Sequence, residues 1–175
     1  SPDGGANWYS PNTGLKKTSG STVSSYALAV KGPQVIVGTD GDDHAYRSTD
    51  DGVSWIGSGI GLPSRKVGSL FVSGSTIFAG MLNGGVYRSS DNGATWTQSD
   101  AGLPLNCTVN ALLQNGQYLF AALFGNGVYL STDNGANWTA AKTGFPVSAS
   151  VNSLAFSSDN TGKNYLFAGT AGYGV

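Results

Sequence analysis

One pattern, Ser-x-Asp-x-Gly-x-x-Trp, recurs four times along the chain, at Ser1-Asp3-Gly5-Trp8, Ser48-Asp50-Gly52-Trp55, Ser89-Asp91-Gly93-Trp96 and Ser131-Asp133-Gly135-Trp138. Its Asp positions lie 47, 41 and 42 residues apart. Repetition at such a period decides the architecture before any local reading, because one unit cannot bury its apolar face without the next. A period in the low forties suits a propeller blade of four strands.

The rest of each period fits that blade. After the Trp comes a turn, Gly61-Leu62-Pro63, Gly102-Leu103-Pro104 or Gly144-Phe145-Pro146, with Gly14-Leu15 in the first copy. Paired apolar runs follow, such as Val67–Val72 with Thr76–Gly80 and Val109–Leu113 with Tyr118–Ala122, and their β-branched and aromatic content predicts strands. Ser-Gly or Asn-Gly between them predicts hairpins. A third strand, Ala45–Ser48, Val86–Ser89 or Val128–Ser131, enters the box, and a fourth leaves through the Trp.

The box has a mechanical reading that needs no ligand. Its Asp carboxylate accepts backbone N–H groups in the turn, its Gly supplies a positive φ, and its Trp buries a ring while keeping the indole N–H near a polar partner. All sixteen Ser, Asp, Gly and Trp positions of the four boxes are therefore read as structural.

Composition removes several functions. Charged residues make up 11% of the chain and the net charge is −1, which leaves no basic stripe for nucleic acid. No stretch approaches the roughly 20 apolar residues of a membrane-spanning helix. Cys107 stands alone, so no intramolecular disulfide and no cysteine zinc site is expected. The low charge and abundant small polar residues favour a secreted, extracellular location.

With its boxes and blade period, the chain resembles the Asp-box, or bacterial neuraminidase repeat, superfamily over essentially its whole length. That superfamily includes sialidases, xyloglucan-degrading hydrolases and the sortilin ectodomain, so the resemblance implies an all-β propeller and leaves the chemistry to be argued from sites. Sialidases grip a carboxylate with three arginines and use a Tyr–Glu pair. This chain has no Glu, and its arginines are Arg47, Arg65 and Arg88, of which Arg47 and Arg88 occupy the same place before adjacent boxes. Xyloglucan hydrolases use two Asp residues, which must flank the sugar at roughly 6.5–9.5 Å in an inverting enzyme.

One loop departs from the repeat. Thr39-Asp40-Gly41-Asp42-Asp43-His44 stands where other copies have Met81–Gly85, Leu123–Gly127 and Thr170–Gly174, and it is the charged version of that connection. It admits three readings: a solvated acidic turn, a Ca²⁺ site of Asp40, Asp42 and Asp43, or an acid–base site of those residues with His44. Phe124 and Tyr173 at equivalent loop ends suit either a cover for the propeller channel or a platform for sugar stacking.

The repeats run approximately over 1–47, 48–88, 89–130 and 131–175 of a single domain. Leu166–Val175 aligns with Ile77–Val86, so only the equivalents of Tyr87 and Arg88 separate the tail from a box such as Ser1-Pro-Asp-Gly-Gly. Head and tail are expected to complete one blade together, within a small ring, between copies, or inside a larger propeller. The expected function is non-catalytic binding or structure, presenting loops or open strand edges to a protein or carbohydrate, with head-to-tail homo-oligomers as one form. No cofactor is expected beyond the Ca²⁺ option. The alternative is a fragment of a secreted glycoside hydrolase with Asp40, Asp42, Asp43 and His44 as its site.

Overall fold

The computed structural model describes residues 1, 3–10, 12–17, 22–141, 143–146 and 148–175. The first sheet holds β1 (Ser25–Lys31), β2 (Gln34–Thr39), β3 (Ala45–Ser48) and β4 (Ile56–Gly57). The second holds β5 (Val67–Ser73), β6 (Thr76–Met81), β7 (Val86–Ser89) and β8 (Thr97–Gln98). The third holds β9 (Val109–Asn115), β10 (Tyr118–Leu123), β11 (Gly127–Ser131) and β12 (Thr139–Ala140). A two-stranded sheet of β13 (Val151–Ser158) and β14 (Asn164–Thr170) ends the chain.

Strands pair with their chain neighbours throughout, so each sheet is an antiparallel meander. First strands of successive sheets lie together, β1 with β5, β5 with β9 and β9 with β13, and the sheets fan out from them as propeller blades. The expected all-β propeller architecture is the one the chain adopts, with no α-helix among the described residues.

The hairpins differ in detail from the sequence reading. Their two-residue turns are Gly32-Pro33, Gly74-Ser75 and Gly116-Gln117, closed by Lys31 with Gln34, Ser73 with Thr76 and Asn115 with Tyr118. Each Gly leads its turn with φ of 55–58°, the geometry of a type II′ hairpin. The Ser-Gly and Asn-Gly dipeptides therefore straddle a strand end and a turn.

Alternation along the second strands sends side chains to both neighbours. Ile77, Ala79 and Met81 of β6 join Ile36, Val67 and Trp96 between the first two blades. Phe78 points the other way, into a cluster with Val109, Leu119 and Trp138. Cores therefore lie between blades, and a blade without a neighbour has an open face. Phe167 of β14 holds the place of Phe78 yet is 45% exposed against 0%.

A strand follows Trp55, Trp96 and Trp138 as expected, at β4, β8 and β12. Among the described residues no strand directly follows Trp8. The second and third blades begin after Gly-Leu-Pro turns and the first after Gly14-Leu15, so a box sits inside a blade, between its third and fourth strands.

Candidate functional site

Each box closes as a hydrogen-bonded turn. The hydroxyls of Ser48, Ser89 and Ser131 donate to Oδ1 of Asp50, Asp91 and Asp133 at 2.7–2.8 Å and accept the N–H groups of Gly52, Gly93 and Gly135 at 2.8 Å. The same Oδ1 accepts the backbone N–H of Ser54, Thr95 or Asn137, whose side chains donate to Oδ2. Ser1, Asp3, Gly5 and Asn7 repeat every one of these bonds. The residue four places after Asp was outside the pattern read from sequence, yet it is always Asn, Ser or Thr.

These bonds hold the box carboxyls low. Asp50, Asp91 and Asp133 fall to about 2, led by the side-chain bonds from Ser54, Thr95 and Asn137, and Asp3 is lowered chiefly by Ser1. A carboxyl whose pKa is depressed on folding stabilises the fold above its unfolded value, 3.8, and loses that contribution as pH falls through the folded value. The melting temperature is expected to stay level down to about pH 4 and to drop between there and about pH 2, followed by circular dichroism. A drop beginning above the ordinary carboxylate range would assign acid sensitivity to other groups.

The box Trp pins one blade to the next. Trp96 donates its backbone N–H to the Ile60 carbonyl at 2.8 Å and its indole N–H to the Ser58 carbonyl at 2.7 Å. Trp138 makes the same bonds to Ala101 and Ser99, both at 2.8 Å. The hydroxyls of Ser58 and Ser99 donate to the box carbonyls of Gly93 and Gly135. Trp55 reaches back to the Thr13 carbonyl at 2.8 Å.

Gly14, Gly61 and Gly102 receive these tryptophans with φ of 91–94°, and a Cβ at any of them would overlap the carbonyl oxygen of the docked Trp. Gly144 has the same backbone, φ 90°, but nothing lies within 4 Å of where its Cβ would be. At the other end, Trp8 is 80% exposed, against 3% for Trp96 and 2% for Trp138. Among the described residues the staple is thus filled three times, by Trp55, Trp96 and Trp138.

The acidic loop holds down the segment leading into β1. Asp40 accepts the Lys17 ammonium at 2.9 Å and the Ser24 N–H at 2.8 Å, which lower its pKa, the Ser24 bond most. The Asp42 N–H and the Tyr46 hydroxyl both donate to the Lys16 carbonyl, at 3.0 and 2.8 Å. Asp42 and Asp43 are exposed, and His44, at φ 60°, is half-buried. Asp40 and His44 border a cavity of about 320 Å³ with Arg65 and Lys66.

Among the described residues, no group of three His, Cys, Asp or Glu is placed to hold a metal ion, so Asp40, Asp42 and Asp43 are not gathered as a ligand set. The arginines do not converge either. Arg47, Arg65 and Arg88 line three different cavities, and Arg47 and Arg88 hold matching registers in β3 and β7. Phe124 and Tyr173 are both exposed.

Four-stranded blades carrying an Asp box between their third and fourth strands define an Asp-box β-propeller segment. No curated protein matches the chain in sequence. The chain belongs to the DUF6242 β-propeller domain family, whose model matches residues 7–173.

Solved structures repeat the fold. A GH74 enzyme of Niastella koreensis superposes with a TM-score of 0.59 at 20% identity, covering 84% of this chain and 26% of that one. The extracellular domain of a putative one-component system from B. thetaiotaomicron gives 0.66 at 20% identity, over 83% and 20%. The Trypanosoma rangeli sialidase gives 0.52 at 19% identity, over 95% and 37%. The chain therefore spans between a fifth and two fifths of these proteins' lengths, and the likeness is one of fold.

Proposed function

We propose that this chain works outside the cell as a non-catalytic propeller segment that binds a macromolecule, protein or carbohydrate, through its loops or strand edges. The observation that carries this reading is how completely the carboxylates are committed to structure. Four are saturated by their boxes, and Asp40 is tied to Lys17 and Ser24. A fold shared with an extracellular domain supports the location.

A panel of xyloglucan, other β-glucans and sialosides tests the absence of catalysis. No release of reducing ends or sialic acid is expected. Release that is lost on Asp42→Asn would replace this reading with that of a carbohydrate-active hydrolase.

A further inference from the structure

We propose that two cavities between the blades, one at Arg47 and one at Arg88, hold the oxyanions of an acidic polysaccharide. The proposal rests on the reading of the chain as a binding segment and gives that reading a site and a ligand class. Strand register sets the geometry. Arg47 of β3 pairs with Ile36 and Ile56, so its side chain leaves the sheet on the side of Ile36, which packs between the first and second blades. Arg88 of β7 pairs with Phe78 and Thr97 and leaves on the side of Phe78, toward the third blade. One guanidinium thus stands in each of two successive clefts.

The first cavity, about 550 Å³, is framed by bonds that reach from the first blade to the second. Lys31 donates to the Ser75 carbonyl at 2.6 Å and to Asn92 Oδ1 at 2.7 Å, and Gln34 donates to the Asn92 carbonyl at 3.0 Å. Lys31, Gln34 and Asn92 line the cavity with Arg47 and Thr49, so its walls are set before any ligand arrives. The second cavity, about 260 Å³, repeats the plan one blade on. Thr76, Arg88 and Ser90 stand there where Gln34, Arg47 and Thr49 stand in the first.

The positive charge in these clefts has no counter-charge. Among the described lining residues of both cavities there is no carboxylate. Lys31 is bonded to neutral oxygens, and among the described residues neither Arg47 nor Arg88 forms an ion pair or donates a side-chain hydrogen bond. The Nε of Arg47 is buried without an acceptor. A cation drawn partly out of water without a counter-ion is costly, and an oxyanion in the cavity relieves that cost. The guanidinium fork matches a carboxylate or a sulfate ester.

The remaining lining names the carrier. Gln34, Thr49, Thr76, Ser90 and Thr97 offer hydroxyls and amides that pair with sugar hydroxyls, and among the described lining residues no aromatic or large aliphatic side chain stands ready to anchor an apolar peptide. Two anion sites one repeat apart suit a chain whose charges also repeat, because the second contact is then intramolecular. Two separate arginines are not the basic stripe that nucleic acid requires.

Isothermal titration with polygalacturonate and with dextran sulfate tests the site, with neutral dextran and polyglutamate as comparisons. Binding to at least one acidic polysaccharide and not to dextran is expected; polygalacturonate alone would make the bound group a carboxylate, dextran sulfate alone a sulfate. Arg47→Gln and Arg88→Gln are each expected to weaken binding roughly tenfold, the lower range for a hydrogen bond to a charged group, and the double variant roughly 100-fold. Melting curves identify folded variants, and should Arg47→Gln not fold, Arg88→Gln reads the matching site alone. No binding to either acidic polysaccharide overturns the proposal, as does binding that both substitutions leave unchanged. Polyglutamate bound as tightly as the polysaccharides overturns the glycan and makes the ligand an acidic peptide. These outcomes are independent of turnover, which the substrate panel reads separately.

Discussion

Replacing Trp138 by Ala is expected to lower the unfolding free energy by about 3–5 kcal/mol, the cost of deleting a buried aromatic ring. The ring is 2% exposed and packs in the cluster between the second and third blades with Phe78, Leu119 and Val109. Its loss also leaves the Ser99 carbonyl without the indole N–H it accepts at 2.8 Å. For a chain of this length the melting temperature should fall by roughly 6–20 °C. The same truncation at Trp8 removes a ring that the isolated chain leaves in water, so its effect on the monomer should stay within about 0.5 kcal/mol. Thermal and urea unfolding of the two variants makes the comparison. Equal losses would show that the buried indole is not what joins the blades.

Gly102→Ala and Gly144→Ala form a second matched pair. Both glycines sit near φ +90°, where an L-residue costs roughly 1–2 kcal/mol in backbone strain. At Gly102 the added methyl also meets the Trp138 carbonyl, a backbone atom held by the strands on either side, and overpacking adds roughly 1–3 kcal/mol. Gly102→Ala should therefore cost roughly 2–5 kcal/mol and Gly144→Ala only the strain, as read by urea unfolding of the monomer. If the two changes prove equally costly, the seat at Gly102 is not as close-packed as its geometry implies.

The blades were legible because their signals are local. Each paired strand carries its own alternation, and each box carries its Ser, Asp, Gly and Trp within a single turn, so the side-chain bonds of Asp50, Asp91 and Asp133 close without help from distant parts of the chain. The acidic loop was less legible. Asp40, Asp42, Asp43 and His44 drew attention as chemistry, yet Asp40 reaches Lys17 and Ser24, positions whose approach depends on how the head segment lies across the first blade. The polar residue four places after each box Asp was readable in principle, since Asn7, Ser54, Thr95 and Asn137 align.

By itself the sequence determined the repeat, the strand-forming segments and the turn chemistry, because period, alternation and left-handed glycines act over a few residues. Only the tertiary structure decided where each Trp goes. The partner of Trp96 lies at Ser58 and Ile60, and that of Trp138 at Ser99 and Ala101, each on the preceding blade. Contacts of that span exist only once blades stack.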